Sequence, residues 1–465
     1  MRENYPTFQN YGPRVRMLRT GFRGKTSGAA FVFTGKEKRM DIRILIVGTL
    51  PYNPSAASRA FDSYFHGWQR DALAQIFSNP HIPPKGHCGR LFQITDRQLL
   101  RRWFHPGTKV GRAFCYEELG EQKAELPRLT RRLYALGSRK YPLVYLLRGL
   151  LWRKRFWHTE ELDSWLEEFQ PQCVFLSFSD DYFIPKIALY AAEKFNIPIL
   201  SSIGDDYYFN DRFSLSPLYH LYRLTYRRLI RRVFAHGGSA IYIGDKIRDK
   251  YNGSLGLNGR TVYLASDQER REFRPIASKN PKIRYFGNLR LGRNRTIAAI
   301  GEALGRIDPK YRVDVYSNEQ DEGVLRVLKR CPIVRFHGAV PYEEVQRLTG
   351  ESDILLLAEG FGKRDVDTVR YSLSTKTADA IASGAAVFAC GHRETGAMEY
   401  CEKTGCVTVC TDLQQLEKSL RGLLFDPARQ KAQYNAATHL LTHRHRLEHS
   451  TQVFRDTIKE TIHGS

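Results

Sequence analysis

Short apolar runs recur along this chain, and they constrain its fold more than any other feature. Arg43-Ile-Leu-Ile-Val-Gly48, Cys173-Val-Phe-Leu-Ser-Phe178, Ile354-Leu-Leu-Leu-Ala358 and Ala385-Ala-Val-Phe-Ala389 are too short to be buried helices and carry almost no polar residue. Runs of this kind suit parallel strands covered on both faces. Helical patterns separate them, at 184–195 in the first half and at 294–305, 320–329 and 342–348 in the second. Strand, helix and strand in this rhythm predict a doubly wound α/β domain, and the rhythm occurs twice.

The length agrees with two domains. A chain of 465 residues exceeds what one core organises, and it divides into units of about 200 residues each. The first is expected over 41–270, with strands at 43–48, 90–94, 173–178 and 198–202 and a mainly helical stretch over 97–169. The second is expected over 271–425, with strands at 282–286, 311–316, 334–337, 354–358, 386–390 and 406–410. Pro275 and Pro281 interrupt the pattern between them. Residues 1–40 read as a basic N-terminal extension that need not be ordered, and residues 426–465 as a helical tail.

Charge narrows the partners without choosing one. The net charge of +23 is concentrated in two stretches: residues 1–40 hold nine Lys and Arg against two acids, and residues 81–160 hold seventeen against six. A field of this sign attracts phosphates on nucleic acid, anionic lipid or an activated substrate. Residues 128–157 mix Arg131, Arg132, Arg139, Lys140, Arg148, Arg153, Lys154 and Arg155 with Leu, Tyr and Trp. Segment 218–234 adds five arginines, of which Arg223, Arg227 and Arg231 share a helical face. Both stretches suit either an anionic membrane surface or plain solvation.

No run approaches the roughly 20 apolar residues of a spanning helix. The start Met1-Arg-Glu-Asn-Tyr-Pro lacks an apolar leader, which points to the cytoplasm. The eight cysteines do not form a disulfide or metal pattern; Cys401, Cys406 and Cys410 have no Cys-x-x-Cys spacing and read as buried thiols. His439, His443, His445 and His449 read as a solvated face of the tail, and no metal site is expected.

Two facing α/β domains create a crevice at the carboxyl ends of their strands. The loop and helix Tyr371-Ser-Leu-Ser-Thr-Lys-Thr-Ala-Asp-Ala-Ile-Ala-Ser-Gly384 run into a buried strand there. Lys376 offers a compact cation for phosphates, and Ser374 and Thr375 flank it. Asp379, three residues on, can accept ribose hydroxyls; the alternative is a surface ion pair with Lys376. Arg290 and Arg293, in Phe286-Gly-Asn-Leu-Arg-Leu-Gly-Arg-Asn294, can grip a diphosphate through paired hydrogen bonds. Glu359 follows the strand 354–358 and precedes Lys363, Arg364, Asp365, Asp367 and Arg370, a composition that predicts an exposed, movable lid. Asp205 and Asp206 follow the strand at 198–202 and can hold acceptor hydroxyls, or a divalent cation if a third ligand converges. Gly48 permits close approach of a ligand, or simply turns the chain.

Segment 371–384, with Ser352-Asp-Ile-Leu-Leu-Leu before it and Ala385-Ala-Val after, resembles the nucleotide-sugar motif of GT-B glycosyltransferases of the group 1 type. That motif is a serine-rich loop followed by Lys-x-x-Glu-x-x-x-x-Gly-x-Pro-Val; here Asp379 replaces the Glu and the proline is missing. Many retaining members also carry Glu-x-Phe-Gly, as in Glu359-Gly-Phe-Gly362, with a second Glu eight residues later. Here Asp379 comes twenty residues later. The resemblance implies two Rossmann-like domains facing across a cleft, with the donor nucleotide on the second and the acceptor on the first. It implies transfer of a sugar from a nucleoside-diphosphate sugar to a glycan or lipid-linked hydroxyl, as in bacterial polysaccharide assembly, without an essential metal. Glu359 and Asp205 become the candidate catalytic carboxylates. The competing readings are a GT-B-like epimerase and a basic nucleic-acid-binding protein; the chain has no zinc finger, Walker loop or Gly-x-Gly-x-x-Gly.

Overall fold

The computed structural model describes residues 42–464, apart from 53–58, 84, 119–141, 182, 212 and 277–278. The extension expected over 1–40 lies outside the described residues, as do Arg131, Arg132, Arg139 and Lys140.

The chain builds two sheets. The first has the order β4-β3-β2-β1-β5-β6-β7-β8, formed by β1 (Ile44–Gly48), β2 (Leu73–Phe77), β3 (Arg90–Gln93), β4 (Ala113–Phe114), β5 (Cys173–Ser177), β6 (Ile199–Ile203), β7 (Ser239–Tyr242) and β8 (Arg260–Thr261). All its pairings are parallel except β3 with β4. The second has the order β11-β10-β9-β12-β13-β14, formed by β9 (Ile283–Phe286), β10 (Val313–Tyr316), β11 (Val334–Gly338), β12 (Ile354–Ala358), β13 (Ala386–Cys390) and β14 (Thr408–Cys410). In sequence terms this is 3-2-1-4-5-6, the order of a dinucleotide-binding sheet, and its switch point lies between β9 and β12. The first sheet has its own switch between β1 and β5.

The apolar runs become strands because each side of the sheet is covered. Leu45 and Val47 of β1 join one buried cluster, while Ile44 and Ile46 join another on the opposite face, as the two-residue period of a strand requires. Strands β2 and β7 escaped the sequence reading. Gln75 interrupts β2, yet it is fully buried: it accepts from the Tyr52 N–H at 2.8 Å and donates to the Leu50 carbonyl at 2.9 Å. It thereby fastens the loop that leaves β1.

The chain end, expected as a tail beyond the second domain, serves both domains. Helix Pro427–Leu440 lies on the second sheet. Helix Leu447–His463 crosses back to the first domain, where Phe454 is fully buried among Tyr64, Phe65, Trp68 and Phe175 at centroid distances of 5.1–5.7 Å. The solvated histidine face is corrected at His445. Its Nδ1 donates to the Leu264 carbonyl at 2.8 Å, and its Nε2 accepts from the Tyr400 hydroxyl at 2.6 Å. Burial pushes its pKa down to about 4, so it is a neutral strut between the domains.

Phe454→Ala should therefore destabilise the first domain, although it lies outside residues 41–270. A loss of about 3–5 kcal/mol is expected in chemical denaturation, the range for emptying a fully buried aromatic site. A loss below about 1 kcal/mol would contradict this packing.

Candidate functional site

The switch point of the second sheet brings together the loops after β9 and β12, and glycines set how close they come. A Cβ on Gly360 would lie 2.3 Å from the Leu291 carbonyl oxygen, and one on Gly292 would lie 2.6 Å from Asp365 Oδ2. Leu291 and Gly292 both take left-handed conformations, with φ of 56° and 75°. Leucine adopts that region only where the surroundings enforce it. This double reversal starts helix Arg293–Ile307 directly beside the end of β12.

Arg293 and Glu359 meet there. Their side chains form a two-pronged pair, Nε to Oε2 at 2.9 Å and the terminal nitrogen to Oε1 at 3.2 Å. Glu359 is 4% exposed. Its backbone is fixed as well: its N–H donates to the Cys390 carbonyl at 2.9 Å, and its carbonyl accepts from the Thr296 hydroxyl at 2.8 Å. A bidentate pair is the geometry that makes burying an arginine and a carboxylate tolerable.

Lys376 completes the cluster. It opens the short helix Lys376–Ala382, and its ammonium lies 3.4 Å from the Tyr285 hydroxyl and 5.0 Å from that ring's centre. Space for it exists only because residue 287 is glycine: a Cβ there would lie 2.0 Å from Lys376 Nζ, and φ is 128°. Burial pulls the lysine pKa down to about 7; the Arg293 cation adds to the shift and Glu359 opposes it. At neutral pH this ammonium is poised between charged and neutral, and an arriving anion would fix its proton.

The other expected residues are placed differently. Arg290 already has a carboxylate partner, Glu319, through contacts of 2.8 and 3.1 Å. The Arg290 hydrogen bond holds that carboxyl below its usual pKa, helped by the N–H groups of Gln320 and Asp321. Ser374 accepts the Thr377 N–H through its carbonyl, and Thr375 is exposed before the helix without capping it. Asp379 does not pair with Lys376 as the i,i+3 spacing allowed. It accepts from the Ser266 hydroxyl at 2.7 Å, because the linker between the domains runs along that side of the helix. Arg270 donates to the Ile381 carbonyl at 2.9 Å and the Arg271 N–H to that of Ser383 at 3.1 Å.

The acidic pair of the first domain is split. Asp206 is buried and accepts from the Tyr251 hydroxyl and the Phe209 N–H, each at 2.8 Å. Asp205 is exposed and accepts from Ser372 Oγ at 2.5 Å across the cleft, with Arg293 in electrostatic range. The two carboxylates point apart and do not chelate together. At Gly48 a Cβ would lie 3.0 Å from Ser177 Cβ on the neighbouring strand, so the glycine permits this close packing. The lid expected over 363–370 is largely helix Lys363–Val369, with Val366 and Val369 buried and Asp367 paired to Lys363 and Arg370.

Some residues were missed. Glu319 sits in the polar run Ser317-Asn-Glu-Gln-Asp321 after β10, a signal available in the sequence. Tyr285 is hidden inside an apolar strand. At the carboxyl edge of the first sheet, Arg148 bridges Asp96 at 3.0 Å and Asp181 at 2.8 Å, and Thr49 donates to Asp181 at 3.3 Å. Burial raises the Asp181 pKa against the pull of Arg148. Among the described residues no group of three His, Cys, Asp or Glu side chains is arranged to hold a metal ion.

Two dinucleotide-type sheets with a basic and acidic cluster at the second switch point are shared with known proteins at the level of the fold. Residues 293–456 match the family model described as glycosyl transferase-like. The fold is that of GT-B glycosyltransferases. HepE of Anabaena, solved with UDP and glucose, superposes with a TM-score of 0.55 at 13% identity, over 90% of this chain and 99% of that one. A glycosyltransferase of Rickettsia africae gives 0.52 at 11% identity, over 92% and 100%. OtsA gives 0.53 at 11%, over 89% and 99%. A comparison with curated protein sequences gave no match. The match to the glycosyl transferase-like model is thus confined to residues 293–456, while the GT-B fold extends along nearly the whole chain.

Gly287→Ala should displace the Lys376 ammonium while leaving the fold intact. Amine labelling of Lys376, followed by mass spectrometry across pH, should titrate near pH 7 in the native protein and near the ordinary lysine range of about 10.4 in the variant. An unchanged midpoint would contradict the enclosure.

Proposed function

We propose that the protein transfers a hexosyl unit from a nucleoside-diphosphate sugar to a hydroxyl of a glycan or lipid-linked acceptor. The observation that carries this reading is the cluster of Lys376, Arg293 and Glu359 at the β9/β12 switch point, opposite Asp205 on the first domain. Loss of the diphosphate leaves negative charge on its oxygens, and preorganised cations stabilise that charge where water is excluded. Lys376 can follow it as a compact ammonium. Arg293 spends two N–H groups on Glu359, and the other edge of its guanidinium remains for phosphate oxygens. Arg290, Ser374 and Thr375 are assigned further hydrogen bonds to the donor, and Asp379 is assigned to fixing the Lys376 helix through Ser266. These basic groups, rather than a resident cation, are given the task of neutralising the leaving group.

The acceptor oxygen forms the new bond to the anomeric carbon. The bond to the diphosphate oxygen breaks with its electron pair, and the hydroxyl proton passes to a carboxylate in the cleft. Asp205 is the first domain's candidate for that proton, and Glu359 the second domain's candidate for holding sugar hydroxyls. The arrangement fits polysaccharide assembly in the cytoplasm, at the inner face of a membrane. All eight cysteines are free thiols, as a reducing compartment keeps them. Among the described residues no helix is long and apolar enough to cross a membrane.

Separate calorimetric titrations with uridine, guanosine and cytidine diphosphates test the donor site, beginning with UDP. One of them should saturate, and Lys376→Ala should weaken it by about 10–100-fold, the worth of one hydrogen bond to a charged group. Saturation by none would refute the reading. The same titration carries a pH test. Because the ammonium form binds and its pKa is about 7, affinity should fall as pH rises through 7, with proton uptake on binding. Lys376→Ala should remove that dependence; a pH-independent native affinity would show that the lysine does not meet the phosphates.

A further inference from the structure

We infer that the outward faces of three adjacent first-domain helices form a docking surface for an anionic lipid bilayer. The inference deepens the proposed function by naming where a lipid-linked acceptor arrives, and it rests on that reading for its purpose.

The helices are Asp96–Phe104, Pro142–Leu151 and Pro217–Ala235. They are neighbours: Arg148 pairs with Asp96 at 3.0 Å, and the Tyr145 and Tyr222 rings stack at 4.7 Å. Their inner faces are buried, but their outer faces carry apolar side chains that the described residues leave exposed. Leu143, Leu147 and Leu150 occupy one stripe of the second helix, 40–55% exposed. Leu218, Leu221 and Leu224 do the same on the third at 40–49%, and Phe213 and Leu215, just before it, are 91% and 85% exposed. Trp103 and Phe104 end the first helix at 41% and 69%. Together these are ten of the fourteen large apolar side chains exposed among the described residues. Scattered exposed leucines need no explanation, but concentration on one face does.

Charge selects the occupant. Residues 142–158 and 213–236 contain no Asp or Glu, while Arg153, Lys154 and Arg155 are exposed at the end of the second helix and Arg228 and Arg232 along the third, Arg232 being joined to Glu193 at 3.2 Å. Apolar side chains bordered by an excess of cations fit the headgroup boundary of an anionic membrane. The arginine face expected from sequence is not the one presented. Arg223 is buried, holding Asp211 at 2.7 Å and the carbonyls of Tyr207 and Tyr208, and Arg227 also joins Asp211. That face anchors the segment after β6, and the leucines face out.

Position completes the argument. On the buried side of the same helices, the Tyr145 hydroxyl donates to Asp180 at 2.8 Å, and those of Tyr222 and Tyr226 donate to the carbonyls of Asp180 and Ser179 at 3.0 Å. The surface therefore backs directly onto the carboxyl edge of the first sheet, the acceptor side of the cleft.

Sedimentation of the full chain with vesicles tests this, comparing phosphatidylcholine alone with phosphatidylcholine containing phosphatidylglycerol. Binding to the anionic vesicles should be at least tenfold stronger. Leu147→Glu with Leu221→Glu should reduce it at least tenfold, leaving the melting temperature and the UDP titration unchanged. Equal binding to both vesicles, or undiminished binding by the double variant, would overturn the proposal. So would a dimer that the double variant dissociates without loss of vesicle binding, which would make the face an interface between copies. Vesicle binding without nucleotide binding would retire the donor reading alone; nucleotide binding without vesicle binding would retire this surface alone.

Discussion

The close approach of the β9 and β12 loops is the constraint on which the rest of the site depends. Gly292 and Gly360 allow it, Leu291 accepts an unfavourable conformation within it, and the Arg293–Glu359 pair fills what is left. Two charges buried this deeply cost several kcal/mol of solvation, and removing either partner alone typically costs about 3–5 kcal/mol because the other is stranded. Burial lowers the Lys376 pKa, the pair's guanidinium adds to the fall and its carboxylate limits it. This cluster of an amine with a lowered pKa beside a fixed guanidinium is the one proposed to receive the donor phosphates, and packing alone creates it.

The two domains are joined on opposite sides by different chemistry. At the cleft, polar contacts surround buried Leu373, which lies close to Gly244: Ser372 to Asp205 at 2.5 Å, and Lys246 to Glu399 at 2.8 Å and to the Glu394 carbonyl at 2.7 Å. Such contacts gain little against water and exchange readily. At the chain end, joining is by burial, through Phe454, neutral His445 and the linker along the Lys376 helix. A molecule held firmly at its back and loosely at its cleft suits a reaction that must exclude water and then release products.

The sequence made the architecture legible because parallel strands buried on both faces announce themselves as apolar runs. β2 was lost since Gln75 looks polar until its partners are known, and β7 since four residues after a long helix leave little pattern. The site was legible as loops but not as partnerships. Arg293 and Glu359 stand 66 residues apart, and nothing local says that they meet. Nor does sequence say which of Asp205 and Asp206 faces the cleft; Tyr251, 45 residues away from Asp206, decides it. Asp379 had the spacing to join Lys376, but the linker claimed it through Ser266. Each correction comes from a contact between segments distant in the chain.

The central claim is that the Lys376–Arg293–Glu359 cluster receives the donor diphosphate. A crystal structure with a nucleoside diphosphate bound measures this directly. The diphosphate oxygens should lie within hydrogen-bond distance, about 2.7–3.2 Å, of Lys376 Nζ and the free edge of Arg293, with Gly287 alongside. A diphosphate bound elsewhere, with Lys376 still resting on Tyr285 and untouched, would contradict the account.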